Sequence, residues 1–324
     1  MKRQAKVISV INWKGGVGKT TITHHLAAGL QHISADELEG FLGHPSLPKV
    51  LLVDADAQCN LSISCLTPGR FAEMVYDSPT PIGTLKELFE QFLPNEQPTI
   101  NVEQYILKAC VQSGNGEVYD HIDLLPSHED LIYTDMNIAV YSRPNFDQKL
   151  IGADIYKFQI LNNILNSVKN QYDFILIDCP PNLNYVTQNA LYASDFYLIP
   201  TIPDRLSSYG LSSITHKVRS LNDSFRSAAK MYKETKLIGI VLNQIREYGG
   251  KPKDTQDNII SMLKELFPTD IFEHYLTYGD GISRASAHSC PVFAFPHANY
   301  TKQINGVINI TREFLNKLAD GVVV

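Results

Sequence analysis

The chain has 324 residues, of which 44% are hydrophobic and 10% aromatic, so it can bury a large core without disulfides or a structural metal. Its five cysteines never form a C-x-x-C pair, so their spacing indicates neither a zinc site nor an iron–sulfur cluster and favours a reducing, cytoplasmic compartment. The formal net charge of −6 argues against a surface that is basic overall, although a local basic patch for nucleic acid stays open.

The first predicted unit is a strand, a glycine-rich loop and a helix. Lys6–Trp13 is rich in β-branched residues, and Thr20–Gln31 carries apolar residues at helical spacing. The loop between them, Lys14–Thr20, reads KGGVGKT. Its glycines let backbone N–H groups wrap a phosphate, and the helix N-terminus adds positive potential. We therefore expect Lys19 to reach the β- and γ-phosphates of a nucleotide and Thr20 to ligate Mg²⁺.

The loop departs from the ordinary P-loop motif at one position. Trp13 stands where that motif has its first glycine, whereas the variant K-G-G-x-G-K-T is complete. A glycine turn without a ligand is the plain alternative, but the variant is too specific to favour it. The expected phosphate-binding residues are Lys14, Gly15, Gly16, Val17, Gly18, Lys19, Thr20 and Thr21.

A second strand ends in two carboxylates. After a polar stretch, Ser34–Pro48, the run Lys49–Asp54 is apolar in the way of strands that are buried on both faces of a parallel sheet. Asp54 and Asp56 follow at the carboxyl end, where ligands bind in doubly wound folds. A solvated strand end is the alternative interpretation of these two acids.

Residues 67–117 are predicted to decorate the core. Prolines recur there around one helical segment, Thr84–Leu93. We interpret residues 1–324 as a single P-loop domain that carries this insertion.

Further apolar runs alternate with helical segments along the rest of the chain. Strands are predicted at Ile122–Pro126, Phe174–Asp178, Phe196–Pro200 and Leu237–Asn243, and helices at Tyr156–Asn170, Ser207–Lys233 and Tyr300–Asp320. This alternation predicts an α/β fold with a doubly wound, mostly parallel sheet flanked by helices. The last helix is amphipathic with balanced charges, so we expect it to dock on the domain. No run approaches the roughly twenty apolar residues of a membrane span, so stable membrane insertion is not expected.

Two more polar residues end predicted strands. Asp178 follows a buried strand, and an acid in that place needs a metal shell or a hydrogen-bonded loop, with structural capping as the alternative. Asn243 ends another strand, and its amide has the donor and acceptor needed to pair with an adenine edge.

These motifs together resemble the deviant Walker A ATPases of the ParA/MinD superfamily. Trp13–Thr21 resembles their nucleotide loop, Asp54–Gln58 their D-x-D-x-Q segment, and Asp178–Pro181 their D-x-P-P segment. Pro200–Leu211 and Ile282–Val292 resemble two later ParA/Soj signatures, although Arg284 stands where Soj-type proteins usually have an acid.

The resemblance implies a mechanism. ATP and Mg²⁺ would be the cofactors, and Lys14 would cross the interface of an ATP-sandwich homodimer to the partner's phosphates, as an arginine finger does. Asp56 would orient or activate the attacking water, and Asp54 would support it or the Mg²⁺ shell. Thr20, Asp54 and Asp178 would serve the metal, the aspartates through water, and Asn243 would read the base.

Within the superfamily, ParA/Soj-type partition or cargo positioning fits best. A nitrogenase-type reductase would need glycine-flanked cysteines, which this chain does not reproduce. A MinD-like membrane ATPase would need a basic terminal helix, and a capsule-type tyrosine kinase would need a terminal tyrosine cluster; the sequence has neither pattern. The resemblance then implies slow, partner-stimulated hydrolysis, a ParB-like or cargo adaptor, nonspecific DNA binding by the dimer and a nucleoid-associated location. The alternative is a scaffold or regulatory ATPase, serving membrane, secretion or cellulose synthesis, that does not bind DNA. Candidate DNA contacts are Lys217, Arg219, Arg226, Lys230, Arg246, Lys251, Lys253 and Arg284.

Overall fold

The computed structural model describes residues 4–142, 154–295 and 298–322. Its strands are β1 (Lys6–Val10), β2 (Val50–Asp54), β3 (Gln112–Gly114), β4 (Glu117–Val118), β5 (Ile122–Leu125), β6 (Phe174–Asp178), β7 (Phe196–Thr201), β8 (Lys236–Leu242), β9 (Glu247–Tyr248) and β10 (Lys251–Pro252).

Six of these strands form one parallel sheet. Its order is β5-β2-β6-β1-β7-β8, and every neighbouring pair in it is parallel. Strands β3 and β4 form a separate antiparallel hairpin, and so do β9 and β10. The predicted doubly wound, parallel α/β sheet is confirmed.

Helices cover both faces of the sheet. They are α1 (Lys19–Leu30), α2 (Ala35–Leu42), α3 (Asn60–Leu66), α4 (Pro68–Ala72), α5 (Leu85–Phe92), α6 (Thr134–Val140), α7 (Tyr156–Asn166), α8 (Tyr185–Ala193), α9 (Ser207–Ala228), α10 (Asp254–Leu266), α11 (Asp280–Ala287) and α12 (Thr301–Val322).

The core has two layers because successive strand residues point to opposite faces. In β1, Val7 packs in one apolar cluster, and Ile8 and Val10 pack in the other. The five residues of β2 and of β6 are all buried. This double burial explains why these strands are nearly continuous apolar runs in the sequence.

The predicted helices are present, with some ends displaced. The segment predicted as Tyr156–Asn170 ends its α-helix at Asn166, and the one predicted as Ser207–Lys233 ends at Ala228. The polar stretch Ser34–Pro48, for which no helix was predicted, contains α2. A capping box between Ser34 and Glu37 starts that helix.

Residues 67–117 contribute to the core as well as to the surface. Leu88 and Phe89 of α5 are buried in the same cluster as Val53 of β2. The segment is also tied down at its end, where Lys108 Nζ donates to Asp123 Oδ2 at 2.9 Å. The assignment of residues 1–324 to a single domain stays a prediction, because the described residues stop short of both ends.

The last helix docks on the nucleotide-loop helix, as predicted. Val307, Phe314 and Leu318 of α12 are buried in the cluster that contains much of α1. A Cβ at Gly29 of α1 would overlap the Thr311 hydroxyl, so the two helices touch closely there. Among the described helices, none has the length and apolar character needed to cross a membrane.

Candidate functional site

Strand register brings the predicted carboxylates and the glycine loop to one edge of the sheet. Asp178 of β6 lies opposite Val10 of β1 on one side and opposite Asp54 of β2 on the other. The loop that follows β1 therefore begins beside both acids. This edge is the carboxyl end of the strands, where doubly wound folds bind ligands.

The glycine loop has the backbone of a phosphate cradle. Gly16 and Gly18 have φ values of +75° and +91°, which L side chains rarely adopt. A Cβ at Gly15 or Gly16 would meet only open space, so the loop is accessible from outside. Val17 is buried, and it fixes the middle of the loop to the core. The loop leads straight into α1 at Lys19, as an anion site at a helix N-terminus requires.

Lys19, Thr20 and Asp178 meet beneath this loop. The Thr20 hydroxyl donates to Asp178 Oδ2 at 2.6 Å, whereas Asp178 Oδ1 is buried and lacks a hydrogen-bond partner within the described chain. Burial and then the Asp54 carboxyl raise the pKa of Asp178, while Thr20 and Lys19 oppose that rise. Burial lowers the pKa of Lys19, and the Asp178 and Asp56 carboxyls oppose this.

This arrangement fits a magnesium ion. A buried carboxylate oxygen without a partner, beside a threonine hydroxyl, is the oxygen donor set that Mg²⁺ and its bound water prefer. A cation would also lower the free energy of the buried Asp178 charge.

Asp54 and Asp56 have different surroundings. Asp54 Oδ2 accepts two hydrogen bonds from Ser62, one from its N–H at 2.8 Å and one from its hydroxyl at 2.7 Å. Asp54 Oδ1 accepts from the Asp56 N–H at 3.2 Å. Burial raises the pKa of Asp54 to about 7. Asp56 accepts from the Gln58 N–H at 3.0 Å and lies next to the loop edge. Asp54 thus holds the segment from Asp56 to Ser62 in shape, and its direct role at the metal stays a prediction.

Lys14 points away from its own loop. Its side chain is about half exposed, and its ammonium forms an ion pair with Asp204 in the segment after β7. Burial raises the pKa of Asp204, but Lys14 and the Ser207 hydroxyl more than offset this and leave the pKa below its usual range. Sequence reasoning missed Asp204, because no local pattern links positions 190 residues apart.

Asn243 lies behind the loop. Its Nδ2 donates to the Val17 carbonyl at 2.9 Å, and its Oδ1 accepts from the Gln244 N–H at 2.8 Å. Gln244 in turn donates through Nε2 to the Gly16 carbonyl at 3.1 Å. These two amides hold the loop in place from the end of β8. The predicted role of Asn243 as reader of the base stays a prediction, since this geometry gives its amide another task.

Asn12 and His25 also support the loop and were not predicted to do so. Asn12 accepts from the Lys14 N–H at 2.9 Å and donates to the Pro200 carbonyl at 2.8 Å. The His25 ring joins the Thr21 carbonyl at 2.8 Å to the Val292 N–H at 3.1 Å. It links the nucleotide helix to the Ile282–Val292 signature.

The candidate DNA contacts do not form one surface. Arg226 is paired with Asp223 and Glu234, and Lys230 lies beyond the far end of α9, which is 22 residues and about 33 Å long. Arg246, Lys251 and Lys253 are exposed together on or beside the β9–β10 hairpin. The other candidates are Lys217 and Arg219, exposed on α9, and Arg284, which lies over the Phe295 ring.

Comparison with known proteins identifies the family to which the chain is similar. A family model described as an AAA domain, AAA_31, matches residues 5–231. A ParA family protein of Chlamydia muridarum is 26% identical over 315 residues, which cover 97% of this chain and 99% of that protein. The sporulation initiation inhibitor protein Soj of Bacillus subtilis is 25% identical over 295 residues, 90% of this chain and 91% of Soj.

Solved structures share the fold. An ATP complex of Cyanothece McdA has a TM-score of 0.67 at 18% identity and covers 94% of this chain and 95% of its own. A putative plasmid partition protein of Borrelia burgdorferi bound to AMPPNP has a TM-score of 0.64 at 20% identity, with 97% and 100% covered. The predicted resemblance to the ParA/MinD superfamily of P-loop ATPases is confirmed.

Proposed function

The chain belongs to the AAA domain family whose model spans residues 5–231, and from this premise we propose that it is an ATP-dependent dimerisation switch of the ParA type. In this proposal ATP closes a two-fold dimer, the dimer holds DNA without sequence preference, and a ParB-like or cargo adaptor stimulates slow hydrolysis that releases it. The protein would then act in the cytoplasm, on the nucleoid.

The position of Lys14 is the observation that carries the proposal. A lysine that served its own loop would lie against it, as the buried Lys19 does. The Lys14 ammonium instead extends from the loop to the Asp204 carboxylate. An exposed ion pair contributes only about 0–1 kcal/mol, so it can open easily. The ammonium is thus available to phosphates on a second subunit.

The remaining residues divide the chemistry among them. Lys19 and the loop N–H groups would bind the β- and γ-phosphates, and Asp56 would orient the attacking water. Thr20 and Asp178 would hold Mg²⁺, which would neutralise the charge that develops on the phosphates. Transfer to water would yield ADP and phosphate.

Two lysine variants test the switch. We expect Lys19→Ala to lose ATP binding, and Lys14→Ala to keep ATP binding while its dimer-dependent hydrolysis falls at least tenfold. Asp204→Ala is the matched control, because it breaks the same ion pair but leaves the ammonium free, so it should keep hydrolysis. ATP affinity, turnover and mass by light scattering are measured for each. Turnover is measured over a range of protein concentrations. If Lys14→Ala turns over ATP as fast as the unchanged protein at each concentration, Lys14 does not act on the phosphates of a second subunit.

The DNA part of the proposal rests on the β9–β10 hairpin. Gln244, which precedes this hairpin, donates through Nε2 to the Gly16 carbonyl, and Gln256 Nε2 of α10 donates to the Gln244 carbonyl at 3.4 Å. Lys251 and Lys253 are exposed on and beside the hairpin, in the segment that follows Gln244. A change in loop shape on ATP binding would therefore move these cations.

DNA binding is tested in a hydrolysis-deficient background. Asp56→Ala, expected to trap the ATP dimer, is titrated into nonspecific duplex DNA with ATP, ADP or no nucleotide at several salt concentrations. Binding should require ATP, and Lys251→Ala/Lys253→Ala should lower the salt slope by about 4, because each dimer carries two copies of both lysines. Lys49→Ala/Lys264→Ala, which removes two exposed lysines elsewhere, is the control. If the dimer forms with ATP but ignores DNA at low salt, the scaffold alternative replaces this proposal.

A further inference from the structure

A second cavity lies at the opposite edge of the sheet from the nucleotide loop. It has a volume of about 820 Å³. The first residues of β1, one face of α7, the end of α8 and the turn after α9 line it, and we call it the lower groove. Ligand pockets commonly measure roughly 300–1,000 Å³. Because β1 has five residues, about 16 Å separates the groove from the nucleotide loop.

The lower groove concentrates positive charge in an acidic chain. Among its described lining residues are four lysines and a single carboxylate, that of Asp195. Asp195 Oδ2 already accepts from the Val7 N–H at 2.9 Å. The chain as a whole carries a net charge of −6, so this local excess of cations needs a reason. An anionic ligand supplies one.

Two of these lysines are held near each other. Burial lowers the pKa of Lys169, Asp195 opposes this, and the charge of Lys233 lowers it further. The backbone fixes this wall, because the Lys169 carbonyl accepts from the Ala5 N–H and the Asp195 carbonyl accepts from the Lys236 N–H, both at 3.0 Å. Lys169 and Lys233 therefore line the same groove, and a phosphate bound there would stabilise both charges.

The rest of the groove suits a planar heterocycle. Gln159, Asn162 and Asn166 line it from one face of α7, at the i, i+3 and i+7 positions of a helical stripe. Tyr192 and Tyr232 add aromatic surface, with ring centroids 4.8 Å apart. Gln159 Nε2 already donates to the Tyr192 hydroxyl at 2.8 Å, so the Asn162 and Asn166 amides are the ones that can pair with the donors and acceptors of a heterocycle, and aromatic rings can stack on its face.

We propose that the lower groove is a second ligand site, which takes a phosphorylated planar heterocycle of mononucleotide size. The lysines bind the phosphate, and the α7 amides and the tyrosine rings bind the heterocycle. The site does not depend on the proposed dimerisation switch, because its lining residues in the described part of the chain lie outside the nucleotide loop.

Calorimetric titration of the intact protein tests the site. AMP, UMP and inorganic phosphate are titrated into protein that is saturated with Mg²⁺ and ADP, so that the nucleotide loop is occupied. We expect one equivalent of at least one monophosphate to bind at least tenfold more tightly than inorganic phosphate. Lys169→Gln/Lys233→Gln should weaken that binding at least tenfold and leave the affinity for ADP unchanged. Lys49→Gln/Lys264→Gln removes two exposed lysines outside the groove and should have no effect.

Several results would overturn the proposal. Absence of monophosphate binding at millimolar concentration would do so, and so would binding that the groove variant leaves intact but Lys19→Ala abolishes. Displacement of the monophosphate by duplex DNA, with a steep dependence on salt, would assign the groove to a polyanion instead. If the double variant melts at a lower temperature, Lys233→Gln alone gives the same comparison, because that side chain is exposed.

Discussion

The contact between Gly18 and Asn243 makes a quantitative test of how the nucleotide loop is held. Gly18 has a φ of +91°, and a Cβ there would overlap Asn243 Nδ2 and lie 3.2 Å from Asn243 Cγ. That same Nδ2 donates to the Val17 carbonyl at 2.9 Å. Gly18→Ala must therefore push the amide away and break its buried hydrogen bond, in addition to straining its own backbone.

The expected loss of stability follows from these two effects. An alanine in the left-handed region costs about 1–2 kcal/mol. A buried carbonyl left without its donor costs about 1–3 kcal/mol, so we expect Gly18→Ala to lower the free energy of unfolding by about 2–5 kcal/mol. Asn243→Ala should cost about 1–3 kcal/mol through the same lost bond. Both substitutions break the same hydrogen bond, and the double variant can lose it only once. Its loss in the free energy of unfolding should therefore be about 1–3 kcal/mol smaller than the sum of the two single losses.

Urea denaturation of the four proteins measures this coupling. Gly40→Ala is the matched control, because a Cβ at that position in α2 meets only open space and should be neutral or stabilising by up to about 1 kcal/mol. Nucleotide affinity of the folded variants should fall in the same order, since the bond holds the loop. Losses that add to within about 0.5 kcal/mol would show that Gly18 and Asn243 act independently and would refute the reasoning.

Two further predictions concern His24 and Trp13. Burial and then the charge of His25 lower the pKa of His24 to about 3, and its Nε2 is buried with no partner among the described residues, so folding keeps it neutral. Above the unfolded pKa of about 6.5, His24 is neutral in both states and costs no stability. Below a pH of about 6.5 only the unfolded state takes up the proton, so the free energy of unfolding falls by about 1.4 kcal/mol per pH unit. His24→Leu should remove this slope when urea titrations are repeated at decreasing pH. A titration slope unchanged in His24→Leu, with exposed His216→Leu as control, would contradict this. Trp13 is the single tryptophan and adjoins the loop, so its fluorescence should change when Mg·ATP saturates the protein, and a constant spectrum would contradict the assigned loop position.

The parts of the site that were predictable are those written in consecutive residues. The KGGVGKT loop follows one strand and Asp178 ends another, and each has a local sequence signature. Because the two strands are parallel, their carboxyl ends meet at the same edge of the sheet. The predicted boundary of α9 was wrong: the helix ends at Ala228, and Tyr232 beyond it turns back to pack on Tyr192 and to donate to Asn222 Oδ1 at 2.6 Å.

The supporting contacts were not predictable, because they join residues that are far apart in the chain. Lys14 and Asp204 are 190 residues apart, and Val17 and Asn243 are 226 apart. A single polar residue at a strand end has several possible partners, and only the folded sheet selects one. For Asn243 the sequence indicated a base-reading amide, whereas the structure places that amide against the Val17 carbonyl.

The register that aligns Val10, Asp54 and Asp178 also bears on biosynthesis. These residues come from three separate strands, and the Val17 carbonyl waits for a donor at position 243. A ribosome that has made the loop and both early strands has therefore not yet made a nucleotide site. The completed support of the loop therefore forms only after most of the polypeptide has emerged, since a chain that ends before Asn243 lacks the donor to the Val17 carbonyl.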